Sequence, residues 1–436
     1  MRRLVYLSLI VLLIAASVNL QSQAAQSAPF SIQAPVELQP ALSALYKARY
    51  NAEPFFVERD GDLIATDDPA FLPSGMGGVP PHFLPEAFFL LARPNAEAEA
   101  FVAYAVSADG QAALIEGGFL PKSVTVTDQA GNTIEVVQPV RRVITPYSIA
   151  TYLVYGVGGS SRLVAGGYLG TRDPVGAARM TALDPRFPTL SGYTLNQREI
   201  NIEQVAQLAP DLIITSARTA WLDTVRELNI PFVLLQGESP ELLKQSVLLV
   251  GQLLGPNTAA RAKAWIGYYD AILAQVVART QDITERPKVL FVGESPLRVI
   301  SGEMYQTDII AAAGGQSVSA ALKGYWNDVN LEQVALWNPE VIVIAPYGKI
   351  TPQTFAESPE WAIIKAVQDG KVYKMPTWIA PWDTPVMDSV LGVIWLAQKL
   401  FPGRLTLDCA QEAMFFFKVF YDHDLPADEI AAVCGS

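Results

Sequence analysis

Ile200–Ser216 reads INIEQVAQLAPDLIITS and Val329–Ala345 reads VNLEQVALWNPEVIVIA, with an asparagine, a Glu-Gln-Val-Ala run and a proline at matching places. Each copy opens on asparagine (Asn201, Asn330), followed three residues on by glutamine (Gln204, Gln333). That is a capping-box arrangement, which satisfies the free N–H groups at a helix start. Each implied helix stops at a proline (Pro210, Pro339) and an acid, and an unbroken apolar run follows, as in a strand covered on both faces. The unit of helix, turn and buried parallel strand therefore occurs twice. The copies start 129 residues apart, too far for a solenoid and suited to two α/β lobes of similar build. Gly192-Tyr193 and Gly324-Tyr325 precede them, which puts Tyr193 and Tyr325 in loops of the kind where open α/β sheets bind ligands.

Between the copies, Trp265, Tyr268, Tyr269, Ile272, Leu273, Val276 and Val277 repeat with the spacing of one helical face. Asn257 offers a cap and Arg286-Pro287 a stop. About 25 helical residues span about 37 Å, longer than a crossover within one lobe needs, so this helix is expected to be a strut between the lobes. The strand KVLFV, Lys288–Val292, opens the second lobe, and Ser123–Val137 alternates as a hairpin around Gly131-Asn132. The expected fold class is α/β: two parallel-sheet lobes bridged by one long helix, plus a small N-terminal α/β module. The divisions are a signal peptide at 1–25, the module at 26–122, hairpin and first lobe at 123–256, the inter-lobe helix at 257–286, the second lobe at 287–403 and a helical tail at 404–436.

Half of the 436 residues are apolar and 17% are charged, enough for a large core. The net charge of −12 argues against a polyanion-binding protein, so no nucleic-acid partner is expected. Two cysteines and two histidines exclude zinc fingers, Cys-ligated clusters and multi-histidine metal centres. Arg2-Arg3, the apolar run Leu4–Val18 and the small residues Ala24-Ala25 have the order of a secretory signal, with no cysteine nearby to accept a lipid. In an oxidising compartment Cys409 and Cys434 would close a loop of about 25 residues, contributing about 3.5 kcal/mol.

Further motifs fall in one order: VTVTDQAGNTIEVVQPVRRVI from Val124, the strand end Leu163-Val164-Ala165-Gly166, the two capped helices, Ala313-Gly314-Gly315, Gly370-Lys371-Val372-Tyr373, and WLAQKLFP from Trp395 to Pro402. From Val124 to about Pro402 the chain thereby resembles the substrate-binding proteins of ABC importers for iron-siderophore complexes, haem and cobalamin. The resemblance implies two lobes on one long helix, a ligand in the cleft between them, no catalysis, and an inner-membrane permease as partner. It implies docking through an acid on each lobe, for which Asp223, Glu227, Glu303 and Asp308 are candidates. Residues 26–122 lie outside that family and resemble a reduced single lobe of the oxyanion-type binding proteins, through SIQAPVELQPALSALYKARY and AFVAYAVSADGQAALIEGGFLP.

The expected function is an extracytoplasmic, periplasmic and monomeric receptor, free of any lipid anchor. It would have no cofactor of its own and would carry a small-molecule metal complex: an iron chelate, haem or a corrinoid. The alternative is an exported enzyme acting on a tetrapyrrole or glycan in the same cleft. A broad ligand is gripped by aromatic faces and, if anionic, by arginine. The segment TWIAPWDTP, Thr377–Pro385, packs two tryptophans and two prolines together, a composition that needs a cover. Trp378 and Trp382 are the first expected ligand contacts, with Asp383 as a polar one. Trp326, Tyr325 and Tyr193 come next, then Tyr168 and Arg172 after the first lobe's strand end. Tyr305 has the sharper option of a phenolate ligand to ferric iron.

Overall fold

The computed structural model describes residues 9–13, 30–34, 36, 39–59, 61–66, 88–92, 96–171, 173–193 and 195–435. Two parallel-sheet lobes share one long helix, as the repeat implied. In the first lobe the strands lie in the order Phe232–Leu235, Leu212–Ser216, Val143–Thr145, Leu163–Gly166, all parallel. In the second, Lys288–Val292, Val341–Ile344 and Val372–Lys374 are parallel neighbours. Leu212–Ser216 and Val341–Ile344, the strands of the repeat, are buried at every residue, because helices cover both faces.

The second lobe differs from a purely parallel sheet. After Val292 the chain reverses through a short turn, and Arg298–Val299 pairs antiparallel with Lys288–Val292 and with Asn327–Asp328. Both repeat helices carry the expected caps: Asn201 Oδ1 accepts from the Gln204 N–H at 3.0 Å, and Asn330 Oδ1 from the Gln333 N–H at 2.8 Å. Both end in a left-handed residue, Ala209 at φ 42° and Asn338 at φ 46°.

The strut is the helix Pro256–Thr280. Asn257 is not its cap: Pro256 occupies the first turn and Gly255, at φ 115°, stands at the cap position. The helix packs on Pro240–Leu254 of the first lobe and on Ser389–Leu400 of the second, burying Trp265, Tyr268, Tyr269, Ile272 and Val276 in a core shared by both lobes. The tail helices Cys409–Tyr421 and Ala427–Gly435 are joined by a Cys409–Cys434 disulfide with a Cα–Cα distance of 5.8 Å. Arg261 of the strut donates to the Val419 carbonyl at 2.8 Å and pairs with Asp422 at 3.1 Å, which fixes the tail along the strut.

The hairpin Ser123–Thr127 and Thr133–Val137 docks by its tip on the first lobe, Asp128 Oδ2 accepting from the Leu234 N–H at 3.1 Å. The N-terminal module has its own core around Phe30, Ile32, Leu45, Tyr46 and Phe101. Its strands Ser31–Gln33, Phe55–Val57, Leu63–Thr66 and Phe88–Ala92 form one sheet beneath the helices Gln39–Tyr50, Ala96–Ala105 and Ala108–Glu116. The last two are separate helices. Ser107 divides them, its hydroxyl accepting from the Gly110 N–H at 3.2 Å as a new cap. Of the expected leader, Leu9–Leu13 is described, as a strand parallel to Phe88–Ala92; the remainder of 1–25 lies outside the described residues.

Candidate functional site

The parallel strands of both lobes deliver their carboxyl ends to one cleft, the usual ligand position in open α/β sheets. After Thr145 the first lobe presents Tyr147, after Ser216 it presents Arg218, and after Leu235 it presents Glu238. The second lobe presents Tyr325 and Trp326 before its repeat helix, and Tyr347 after Ile344.

The lobes meet at this point. The Arg218 guanidinium lies 5.0 Å from the Tyr325 ring centroid, within cation–π range, and forms an ion pair with Glu238. The Tyr325 hydroxyl stands 3.5 Å from Glu238 Oε1. Tyr147 is buried beside them. Burial and the Glu238 carboxylate push its hydroxyl up, while Arg218 pulls it the other way, so it remains a neutral donor. Trp326 lies over Gly293, where a Cβ would come within 2.7 Å of its ring, and meets Tyr347 edge-on at 6.4 Å.

Behind this wall, Asp383 is fully buried. Its Oδ2 accepts from the Tyr347 hydroxyl at 3.1 Å and from Gln306 Nε2 at 3.2 Å. Its Oδ1 has no partner among the described residues, and burial pushes the carboxyl up to about 6. Chemically the cleft offers one cation held by a carboxylate, tyrosine hydroxyl donors and aromatic faces. Among the described residues no group of three or more His, Cys, Asp and Glu is placed to hold a metal ion, and no helix is long and apolar enough to cross a membrane.

The structure therefore brings Tyr325, Trp326 and, one layer back, Asp383 to the cleft, and sends elsewhere the other expected contacts that are among the described residues. Trp382 is fully buried in the shared core, where a side chain at Gly392 would come within 2.6 Å of its carbonyl. Trp378 is 3% exposed, sandwiched between the Arg179 guanidinium at 3.9 Å and Phe417 of the tail. The cover that TWIAPWDTP requires is the chain itself. Tyr305 is buried with its hydroxyl 2.8 Å from Ser389 Oγ, so it has no face for iron. Tyr168 packs edge-on against Phe187 inside the first lobe, its hydroxyl 3.3 Å from that of Tyr155. Tyr193 packs in the first lobe's cluster around Trp221 and Ile213. Arg172 lies outside the described residues.

Tyr147, Arg218, Glu238 and Tyr347 were not singled out from sequence. Each follows a buried strand by two or three residues, so the strand-end rule was available to find them. Of the docking candidates, Asp223, Glu227 and Glu303 are exposed and Asp308 is half-buried. Asp223 pairs with Arg226 at 2.5 Å and Glu303 with Lys323 at 3.3 Å.

Comparison with known proteins agrees with this architecture. The model of the periplasmic binding protein family matches residues 183–377, from the first lobe's repeat through most of the second lobe. The molybdate-binding protein MolA of Haemophilus influenzae is 26% identical over 259 residues, 53% of this chain and 73% of its own. A vitamin B12-binding protein of Photorhabdus laumondii is 26% identical over 213 residues, 47% of this chain and 70% of its own. A periplasmic solute binding protein from Veillonella parvula superposes with a TM-score of 0.64 at 25% identity, covering 71% of this chain and 96% of its own.

Proposed function

We propose that this chain is a two-lobe substrate-binding protein of an ABC importer, which captures a compact anionic metal species in its inter-lobe cleft and delivers it to a permease. The observation that carries the reading is the Arg218–Glu238 pair under Tyr325. An incoming anion replaces Glu238 on the guanidinium, gains a charge-assisted fork, and is closed over by the Tyr325 ring. A metal oxyanion or an anionic iron chelate has the right charge and size. A relative named for molybdate supports the first.

Haem and corrinoids need broad aromatic platforms, and the two tryptophans that would have supplied them are core residues. The aromatic surface left at the cleft is that of Tyr325, Trp326 and Tyr347. The protein acts as a monomer in the periplasm after removal of a leader within 1–25.

Calorimetry of the purified protein against molybdate, tungstate, a ferric catecholate, haem and cobalamin tests the reading. An anion should bind, and Arg218→Ala should weaken it at least about tenfold, about 1.5–3 kcal/mol for a hydrogen bond to a charged group. Glu238→Gln, which frees the guanidinium, should tighten it. Binding of cobalamin alone, or an Arg218→Ala protein that binds like the parent, would overturn it.

A further inference from the structure

Where the N-terminal module meets the first lobe and the start of the strut there is a cavity of about 490 Å³. It is separate from the cleft, and its lining is mainly apolar, including Ile115, Leu120, Val124, Val126 and Ala259. At one end Gln111, from the module, is 4% exposed. Its Nε2 donates to the Leu254 carbonyl at 3.0 Å, which fixes the amide's orientation, and its Oε1 has no partner among the described residues.

The chain makes room for this side chain: at Gly255, φ 115°, a Cβ would fall 1.6 Å from Gln111 Nε2. A buried amide oxygen without a donor costs about 1–3 kcal/mol, so it marks a place where a donor from outside the chain would be stabilising. Further along the cavity Lys263 is exposed and forms no ion pair among the described residues. Gly255, Ala259 and Lys263 follow one another at i, i+4 along one face of the strut, so Lys263 lies about 12 Å from Gly255 along the axis.

We propose that this cavity is a second binding site, for an elongated amphipathic carboxylic acid whose hydroxyl donates to Gln111 Oε1 and whose carboxylate meets Lys263. The two polar ends set the length, a chain of about ten carbons at this spacing. The apolar lining takes the chain between them. The site exists only because the module is docked on the lobes, which gives the module a role that the cleft does not require.

Calorimetry on the intact protein with ω-hydroxydecanoic acid, decanoic acid and decane-α,ω-diol separates the contributions. The hydroxy acid should bind, and the others, one without the hydroxyl and one without the carboxylate, should bind at least about tenfold more weakly. Lys263→Glu, a change at an exposed position that leaves folding intact, should weaken the hydroxy acid at least about tenfold and leave the diol unchanged. Arg218→Ala should leave hydroxy-acid binding unchanged, which keeps this site's outcome distinct from that of the cleft. Absence of binding at millimolar hydroxy acid, equal affinity for all three molecules, or indifference to Lys263→Glu would each overturn the proposal.

Discussion

Trp382 shows how one residue can be read correctly for its chemistry and wrongly for its place. Two rigid tryptophans between prolines need a partner surface, and that much is local. Which surface they meet depends on Gly392 in the helix that follows, on Phe417 of the tail and on Arg179 of the first lobe, far away in sequence. Trp382→Ala should therefore destabilise the ligand-free protein by about 3–5 kcal/mol, read as a drop in melting temperature. Trp382→Phe removes an indole N–H that has no partner among the described residues, and should cost much less. A melting temperature unchanged by the alanine substitution would return Trp382 to the ligand wall. Asp383, beside it, gives a pH test. Burial holds its folded carboxyl at about 6, whereas the unfolded chain loses that proton near about 4. The folded state thus binds the extra proton between those values, and this group's contribution is full below about pH 4 and lost as pH rises through about 6. Asp383→Asn keeps an acceptor for Tyr347 and Gln306 without the charge. Its melting temperature relative to the parent should rise from pH 4 to pH 7 and stay level above; a difference independent of pH would show that the buried charge is not the cause.

At the scale of elements the sequence is far more legible, because caps and stops are local chemistry. Asn201 and Asn330 cap where the pattern places them, and the strands after Pro210 and Pro339 are buried throughout. The two repeat helices differ at their ends: the left-handed position holds Asn338 in one lobe and Ala209 in the other. A left-handed backbone is strained for alanine and free for glycine. Ala209→Gly should raise stability by about 0.5–1 kcal/mol, Asn338→Ala should lower it by a similar amount, and Asn330→Ala should cost about 1 kcal/mol. Urea titrations at equal m-value would show this, and destabilisation by Ala209→Gly would contradict the backbone assignment. What the pattern could not show is the antiparallel ribbon Arg298–Val299 with Asn327–Asp328, strands of two residues held by tertiary pairing rather than by any periodicity. The cap at Gly255 was also hidden, since it answers to Gln111, a residue more than a hundred positions away.

For the whole molecule the decisive feature is how many bonds cross between the lobes besides the strut. The Tyr152 hydroxyl donates to the Ile379 carbonyl at 3.0 Å, and Arg179 to the Thr377 and Trp378 carbonyls at 3.2 and 3.3 Å. The segment expected to wall the ligand ties the lobes together instead. Lobe movement on binding should therefore be small, and small-angle scattering with and without saturating anion should give radii of gyration within about 1 Å of each other. A change of several ångströms would mean that these bonds break on closure. Removal of the module, with the chain starting at Ser123, should leave anion affinity in the cleft unchanged. It should lower the melting temperature, since the Gln111 bond to the Leu254 carbonyl and the Asp109–Arg141 pair at 2.5 Å, both to the first lobe, are lost. Loss of anion binding with the fold retained would show that the module completes the cleft.

The sulfur bridge in the tail has one more consequence, which concerns time and error. The sequence contains only two cysteines, and both come after the last strand of the second lobe. In a chain delivered amino end first, no thiol emerges until every strand has already passed, so oxidation cannot trap an unfinished sheet. Two thiols also permit a single intramolecular pairing. The bond needs an oxidant but no proofreading, and a disulfide isomerase would find nothing in this chain to correct.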